Sequence, residues 1–380
     1  MRKRAICAGH VCLDITPAIP DTGARRVQDW LRPGKLVDIG AAVVSPGGSV
    51  SNTGLCMKKL GADVSLMGKV GADALGGVLA TLFQAQGVED SLIRQPDVTT
   101  SYTVILALPG LDRIFLHHSG ANHTFYADDV PWAEARDAAL IHFGYPTVMR
   151  SMYENGGEEL LRLMCRAHEA GMATSLDMSS IDPDSEAGRV DWADLLARVL
   201  PHVDFFEPSA EELCFMLDRE AFRAWRRRAG DGDVCECLTP EDIGPLAERC
   251  MALGAKVLML KCGAPGMYLR SAPPAALAGI SPRLELDFAA WGGRAFFEPS
   301  YVPDRVVSGT GAGDTSIGAF LTAVLNGRDP EWAMHLAAAA GACCVAQADS
   351  LSGIPSLPEL EGRIRAGWRK RGDAPHEARP

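Results

Sequence analysis

Apolar and polar positions follow two rhythms along the chain. The opening "RAICAGHVCLDITP" is an apolar run broken at Gly9 and continued as a second extended piece that reaches Asp14. Runs this short read as strands. From "SPGGSVSNTGLCMKKLGADVSLMGKVG" the order becomes regular: a glycine pair, a helix opened by Ser49 or Ser51, Gly61 as its stop, then a strand. Leu75, Val78, Leu79, Leu82 and Phe83 recur at i, i+3, i+4, i+7 and i+8, the apolar stripe of a helix that Gly87 ends. "SYTVILAL" and "RIFLHHSGAN" are extended runs joined by a Pro-Gly turn. After them come "AALIHFG", a helix near 157–170, "MATSLDM", "HVDFFEPS" and "KVLMLKCG". Strands separated by helices predict an α/β fold whose parallel sheet is covered on both faces.

Three stretches depart from this alternation. Residues between Asp14 and the glycine pair are rich in Pro, Gly and isolated charges and read as turns and short exposed strands. Residues 219–240, with the run Arg226-Arg227-Arg228 and a Gly-Asp-rich turn, and residues 272–300, which lack a period, read as insertions or surface loops. The arginine run is a solvated helix face rather than a binding patch.

Composition narrows the function. A chain of 380 residues, 47% hydrophobic, can bury a large core. With 37 basic against 48 acidic residues and a net charge of −11, no general attraction to nucleic acid or to an anionic membrane is expected. The apolar stretches fall short of the ~20 residues that cross a bilayer. The eleven cysteines lack paired metal-ligand spacing and no secretory signal precedes the first apolar strand, so a cytoplasmic setting is expected.

The chemistry concentrates in "GTGAGD", residues 309–314. A Walker-type phosphate loop needs a lysine after its glycines, and none follows. A dinucleotide fingerprint starting at Gly309 needs a glycine where Asp314 stands, late in the chain rather than in a first βαβ unit. Ile317, Phe320, Leu321, Val324 and Leu325 instead form a helical stripe directly after the loop. The N–H groups of residues 311–314 would then lie at a helix N-terminus and bind an anion. Asp314 beside such an anion hole suits a general base that takes a proton from an attacking hydroxyl; an Asp in this place also suits a plain helix cap.

Two segments carry a family resemblance. "SGTGAGDTSIGAF" resembles the C-terminal signature of the ribokinase-like carbohydrate kinases of the PfkB family, and "GGSVSNTGLCMKKLGADVSLMGKVGADALG" their N-terminal one. The resemblance implies a three-layer αβα core with a mostly parallel sheet, as one kinase domain over 1–380. A small β-sheet lid would be built from about 13–45 and 98–118. It implies Asp314 as base, with Gly311, Ala312 and Gly313 as anion hole. Asp14, Gly47, Gly48, Asn52 and, in "SGAN", Asn122 would face the acceptor. "EPSAEEL" resembles the family's Asn-x-x-Glu segment, so Glu212 would serve a magnesium ion, with Ser209 replacing the Asn; the same pair also reads as a capping box. "KCGAPG" resembles the loop along the nucleotide phosphates, which implies Lys261, Gly263, Gly266 and Thr310 at the donor. Asp73 in "VGADALGG" would order its loop. Ser308-Gly309 stands where the family often has Asp-Thr, which argues against a potassium site.

The resemblance thus implies ATP and Mg²⁺, and a small-molecule sugar or polyol as acceptor. It also implies a homodimer through the exposed lid edge. A nucleoside kinase is the rival on the same scaffold, with Tyr102, Phe115 and Phe125 as stacking surface. A weak sugar- or nucleotide-binding regulator is the rival from another class, disfavoured by Asp314 and Glu212.

Overall fold

The computed structural model describes residues 3–21, 23, 26–88, 92–108, 113–230 and 232–372. Its strands are β1 (Arg4–Gly9), β2 (Cys12–Pro17), β3 (Ala42–Gly47), β4 (Asp63–Gly71), β5 (Leu92–Gln95), β6 (Tyr102–Leu106), β7 (Ile114–His118), β8 (Leu140–Gly144), β9 (Ala173–Asp177), β10 (Phe205–Phe206), β11 (Val257–Lys261), β12 (Gly266–Ser271) and β13 (Ala295–Pro299). Nine of them form one sheet in the order β13-β12-β11-β10-β9-β8-β1-β4-β5. All its neighbours from β11 to β5 run parallel, and β12 and β13 close one edge antiparallel.

Strand alternation sorts the core into two layers. Ile6, Phe206 and Leu258 pack on one face with Leu163 and Trp192, while Ala5, Phe205 and Val257 pack on the other with Phe320 and Trp291. These are the three layers that the periodicity predicts. The helix Ala312–Leu325 is apolar nearly all round, and every residue from Asp314 to Leu325 is buried. It packs against the helices Ser49–Lys59 and Pro330–Cys344.

A second, four-stranded sheet has the order β3-β2-β6-β7, with β2 and β6 parallel and the other pairs antiparallel. β1 runs on into β2 after two residues, so the first core strand leads directly into this lid. Val43, Val44, Phe115 and Leu116 leave a large part of their side chains exposed on it.

Local readings shift in three places. The helix Ser49–Lys59 begins behind Gly48 and takes no side-chain cap, so neither Ser49 nor Ser51 opens it. Residues 295–299 are the ninth strand of the core sheet rather than a surface loop, because their partner β12 supplies a ladder that periodicity along one strand does not reveal. Arg219–Ala229 is a helix, and Arg228 pairs with Asp242 on its solvated face. The expected Pro109-Gly110 turn and Asp231 of the Gly-Asp-rich turn lie outside the described residues. Among the described residues no helix is long and apolar enough to cross a membrane.

Candidate active site

In a parallel sheet, ligands gather beyond the carboxyl ends of the strands. Here β1, β8, β9 and β11 end at Gly9, Gly144, Asp177 and Lys261; Tyr145, just past β8, and Lys261 meet the first turn of the helix Ala312–Leu325, and Asp177 bonds Lys261. Gly311 caps that helix with φ 75°, a left-handed value that an L side chain rarely adopts. Asp314 is therefore the third residue of the helix and not its cap. Its carboxylate turns to side chains: the Tyr145 hydroxyl donates to both oxygens, at 2.7 and 2.8 Å, and Asn52 Nδ2 donates to Oδ2 at 2.9 Å. Ser350 Oγ in turn donates to Asn52 Oδ1 at 2.7 Å and fixes the amide. Burial raises the Asp314 pKa, while Tyr145, Lys261 and Asn52 restrain the rise.

Asp14, on β2, approaches this group from the lid. A Cβ on Gly47 would sit 2.1 Å from an Asp14 oxygen, so only glycine admits the carboxylate there. Gly48, with φ 84°, likewise leaves room for the ring of His10, whose Nδ1 would be 2.6 Å from an added Cβ. Burial pushes the Asp14 pKa up to about 6, against hydrogen bonds from Cys12 and Thr103, and the charge that acts on it is that of Asp314. The His10 and His117 rings lie 5.2 Å apart, and Thr103 Oγ1 meets His117 Nδ1 at 3.0 Å. Burial holds both imidazoles neutral, His117 at about 4 and His10 well below its usual value. Asn122 is fully buried and its side chain is engaged by backbone: it accepts from Val11 N at 3.2 Å and donates to Val11 O and Ser119 O at 2.9 and 3.1 Å. It holds the β1–β2 junction.

On the opposite side of the helix terminus lies a cleft of about 590 Å³. One wall is glycine-rich, formed by Gly263, Gly266, Gly309 and Gly313, and the other is apolar, with Val302, Pro303, Ala338 and Val345 among its residues. Lys261 lines the cleft and lies within electrostatic reach of Asp314, and its Nζ contacts Asp177 Oδ1 at 2.7 Å. Burial opposes the lysine charge, but Asp177, Glu212 and Asp314 outweigh it and keep Lys261 protonated. The Thr310 N–H bonds Ser308 Oγ at 3.2 Å, and Arg113 reaches from the lid to the same oxygen at 2.9 Å. Glu212 Oε2 accepts from Ser209 N at 2.7 Å, and Glu212 N donates back to Ser209 Oγ at 3.2 Å. The capping box is therefore real and sets the carboxylate near Lys261.

Sequence reasoning passed over Tyr145, Asp177, His10 and Arg113. The available signal was position: Asp177 ends a strand, and Tyr145 and His10 each follow a strand-terminal glycine. At such places in an open α/β sheet polar side chains face a ligand.

The arrangement is a glycine-capped helix N-terminus whose first turn carries a buried carboxylate, set between the four-stranded sheet and an open cleft. Residues 10–357 match the model of the pfkB family carbohydrate kinases, and the chain belongs to that family. It is 24% identical to an uncharacterized sugar kinase of Archaeoglobus fulgidus, over 79% of this chain and 98% of the relative. The ribokinase of Arabidopsis thaliana solved with ribose and ATP shares the fold at TM-score 0.70 and 20% identity, over 96% of this chain and 99% of that one. The fructokinase of Xylella fastidiosa solved with bound ATP shares the fold at TM-score 0.69 and 19% identity, covering 96% of this chain and 99% of that one.

Proposed function

We propose that the protein transfers the γ-phosphoryl group of ATP to an alcohol of a small, uncharged sugar or polyol. The observation that carries this reading is the position of Asp314, behind the Gly311 cap and between the nucleotide-sized cleft and Asp14. Asp14 and Asn52 orient the acceptor hydroxyls, since a carboxylate accepts from vicinal hydroxyls and an amide both donates and accepts. Asp314 takes the proton of the attacking hydroxyl, and the N–H groups of residues 311–314 together with the Lys261 ammonium stabilise charge on the transferred group. Closing the lid over the pocket excludes water and favours transfer over hydrolysis.

The donor set suits a magnesium ion. Asp177 Oδ2 is buried without a hydrogen-bond partner, and Glu212 adds a second carboxylate. Hard oxygen ligands and retained waters are what Mg²⁺ takes; bound there, the ion would neutralise phosphate charge.

An uncharged acceptor is favoured because the groups beside Asp14 are neutral imidazoles and a further carboxylate, among the described residues. A sugar acid or sugar phosphate would need a cation there, and Arg113 of the lid is engaged by Ser308 on the glycine loop. A nucleoside has less support: Phe125 is fully buried against Phe143, and Tyr102 packs on His118. The exposed lid residues Val43, Val44, Phe115 and Leu116 support a homodimer paired through the lid. Sedimentation of the wild type and of Phe115→Lys tests that pairing.

The test of function is Mg²⁺-dependent ADP release from ATP across ketoses, aldoses, polyols, sugar acids and nucleosides. A responsive neutral sugar or polyol supports the reading; a response confined to sugar acids or nucleosides, or silence with ATP still bound, rejects it.

A further inference from the structure

Tyr145 belongs to neither sequence signature, yet its side chain reaches the proposed base. It follows the last residue of β8 with φ 68° and ψ 41°, in the left-handed region, where a bulky aromatic residue is an outlier. Its surroundings impose that conformation. The Tyr145 N–H donates to Asp177 O at 3.1 Å, Pro146 follows, and the phenol is anchored on Asp314. The ring lies 5.9 Å from that of His10, which is 3% exposed and has no hydrogen-bond partner on either nitrogen.

A hydroxyl that bridges both oxygens of a carboxylate occupies the place an acceptor hydroxyl must take to lose its proton there. Asn52 already uses a further position on Oδ2. We propose that the Tyr145 phenol is a tethered stand-in for the acceptor alcohol, which caps Asp314 while the acceptor pocket is empty and yields when a substrate hydroxyl arrives. The inference rests on the kinase reading above and assigns Tyr145 as the residue that makes the site prefer an alcohol over water.

The reaction it suppresses is hydrolysis. A water oxygen would attack the γ-phosphorus, the bond to the bridging oxygen would break with its electron pair leaving on ADP, and Asp314 would take the water's proton. The products are ADP and inorganic phosphate. With the phenol on both oxygens and Asn52 on Oδ2, three of the carboxylate's roughly four acceptor positions are taken, and the water loses the place the acceptor hydroxyl would use. A strained backbone turn beside Gly144 supplies the hinge by which the phenol withdraws.

The test is Tyr145→Phe, which keeps the ring against His10 and removes only the hydroxyl. With MgATP alone, release of inorganic phosphate rises about tenfold or more over wild type, part of the 10²–10⁴ a general base supplies. With D-ribose or D-fructose present, the KM for the sugar falls and the ratio of inorganic phosphate to sugar phosphate formed rises by about tenfold or more. The acid limb of kcat/KM moves to higher pH, because the free site has lost a donor to the charged carboxylate, whereas the limb of kcat does not move. A merely structural tyrosine shifts neither partition nor limb, and a permanent partner of the base shifts both limbs. Either result overturns the proposal, as does phosphotyrosine at position 145 after incubation with MgATP. If the wild type phosphorylates a sugar and the variant's hydrolysis stays at the wild-type level, the stand-in fails and the kinase reading survives. If the wild type phosphorylates nothing in the panel, both fall. The melting curve of the variant, expected to match wild type, separates these outcomes from misfolding, and Tyr145→Leu repeats the hydrolysis measurement without the ring.

Discussion

The two sides of Asp314 are built from different material. The proposed donor side is largely backbone and small residues, with Gly309, Ala312 and Gly313 around the helix start, Gly263 and Gly266 on another loop, Lys261 beside them and an apolar wall opposite. The acceptor side is side chains that bond one another, Asp14 with Cys12, Thr103 with His117, and Asn52 and Tyr145 with Asp314. A phosphate chain needs N–H groups and room, which a glycine loop presents without rearrangement. An alcohol must be told from water, which requires polar groups satisfied by each other until the correct hydroxyls replace them.

The sharpest break of this contrast falls on the residue shared by both sides. Asp314→Asn keeps the hydrogen bond to Tyr145 through its remaining oxygen and leaves the nucleotide cleft unaltered. Steady-state kinetics should then show kcat reduced by about 10²–10⁴-fold with little change in the KM for ATP. Near-normal turnover would remove the base from Asp314.

Lys261→Met acts on the donor side and on stability together. Asp177 is fully buried and the Lys261 side chain is 13% exposed, and removing one partner of a buried pair costs about 3–5 kcal/mol. Burial already raises the Asp177 pKa, so the orphaned carboxyl takes up a proton and the loss falls toward the lower end of that range. Denaturant titration measures it, and ATP affinity should weaken in the same variant. A stable variant with unchanged ATP binding would leave Lys261 without a role at the donor.

The third prediction separates the sides by pH. Asp14 is pushed up to about 6 by burial, so it is charged above that pH and protonated below it. Only the charged form accepts from two hydroxyls, so the acceptor KM should rise about tenfold per pH unit below 6, while the KM for ATP stays flat. Asp14→Asn should abolish this limb. The linked effect on folding has the opposite sense: a carboxyl raised from 3.8 to about 6 lowers stability at neutral pH, and that loss is regained as pH falls from about 6 toward 4.

The same contrast explains what could be read in advance. The donor loops are contiguous, so "GTGAGD" and "KCGAPG" state their geometry locally, and the layers follow from strands and helices of clear period. The acceptor pocket draws His10, Thr103, His117 and Tyr145 from the ends or faces of four different strands, and no local pattern joins them. Nothing in "HFGYP" shows that its tyrosine meets a residue 169 positions later. Asn122 was legible as a segment but not in orientation, because its amide turns to the backbone of Val11 rather than outward. Whether Asp314 is the helix cap depended on where the helix starts, and one left-handed glycine decides that.

The smallest effect belongs to the hinge between core and lid. Asp73 caps the helix Ala74–Ala85 by accepting from Gly76 N at 2.9 Å, and also accepts from Thr100 N at 2.8 Å and Thr100 Oγ1 at 2.6 Å. Thr100 lies two residues before β6, so one carboxylate ties the end of β4 to the entry of a lid strand. Hydrogen bonds hold its pKa below the usual carboxylate range against the cost of burial, which keeps the tie intact at neutral pH. Asp73→Ala should cost about 1 kcal/mol through the lost cap. If the tie also sets the lid, the acceptor KM rises severalfold while kcat and the KM for ATP hold, and Asp73→Asn recovers part of both. A loss of stability with no change in acceptor KM would confine Asp73 to the helix and show that the lid is positioned by its own sheet.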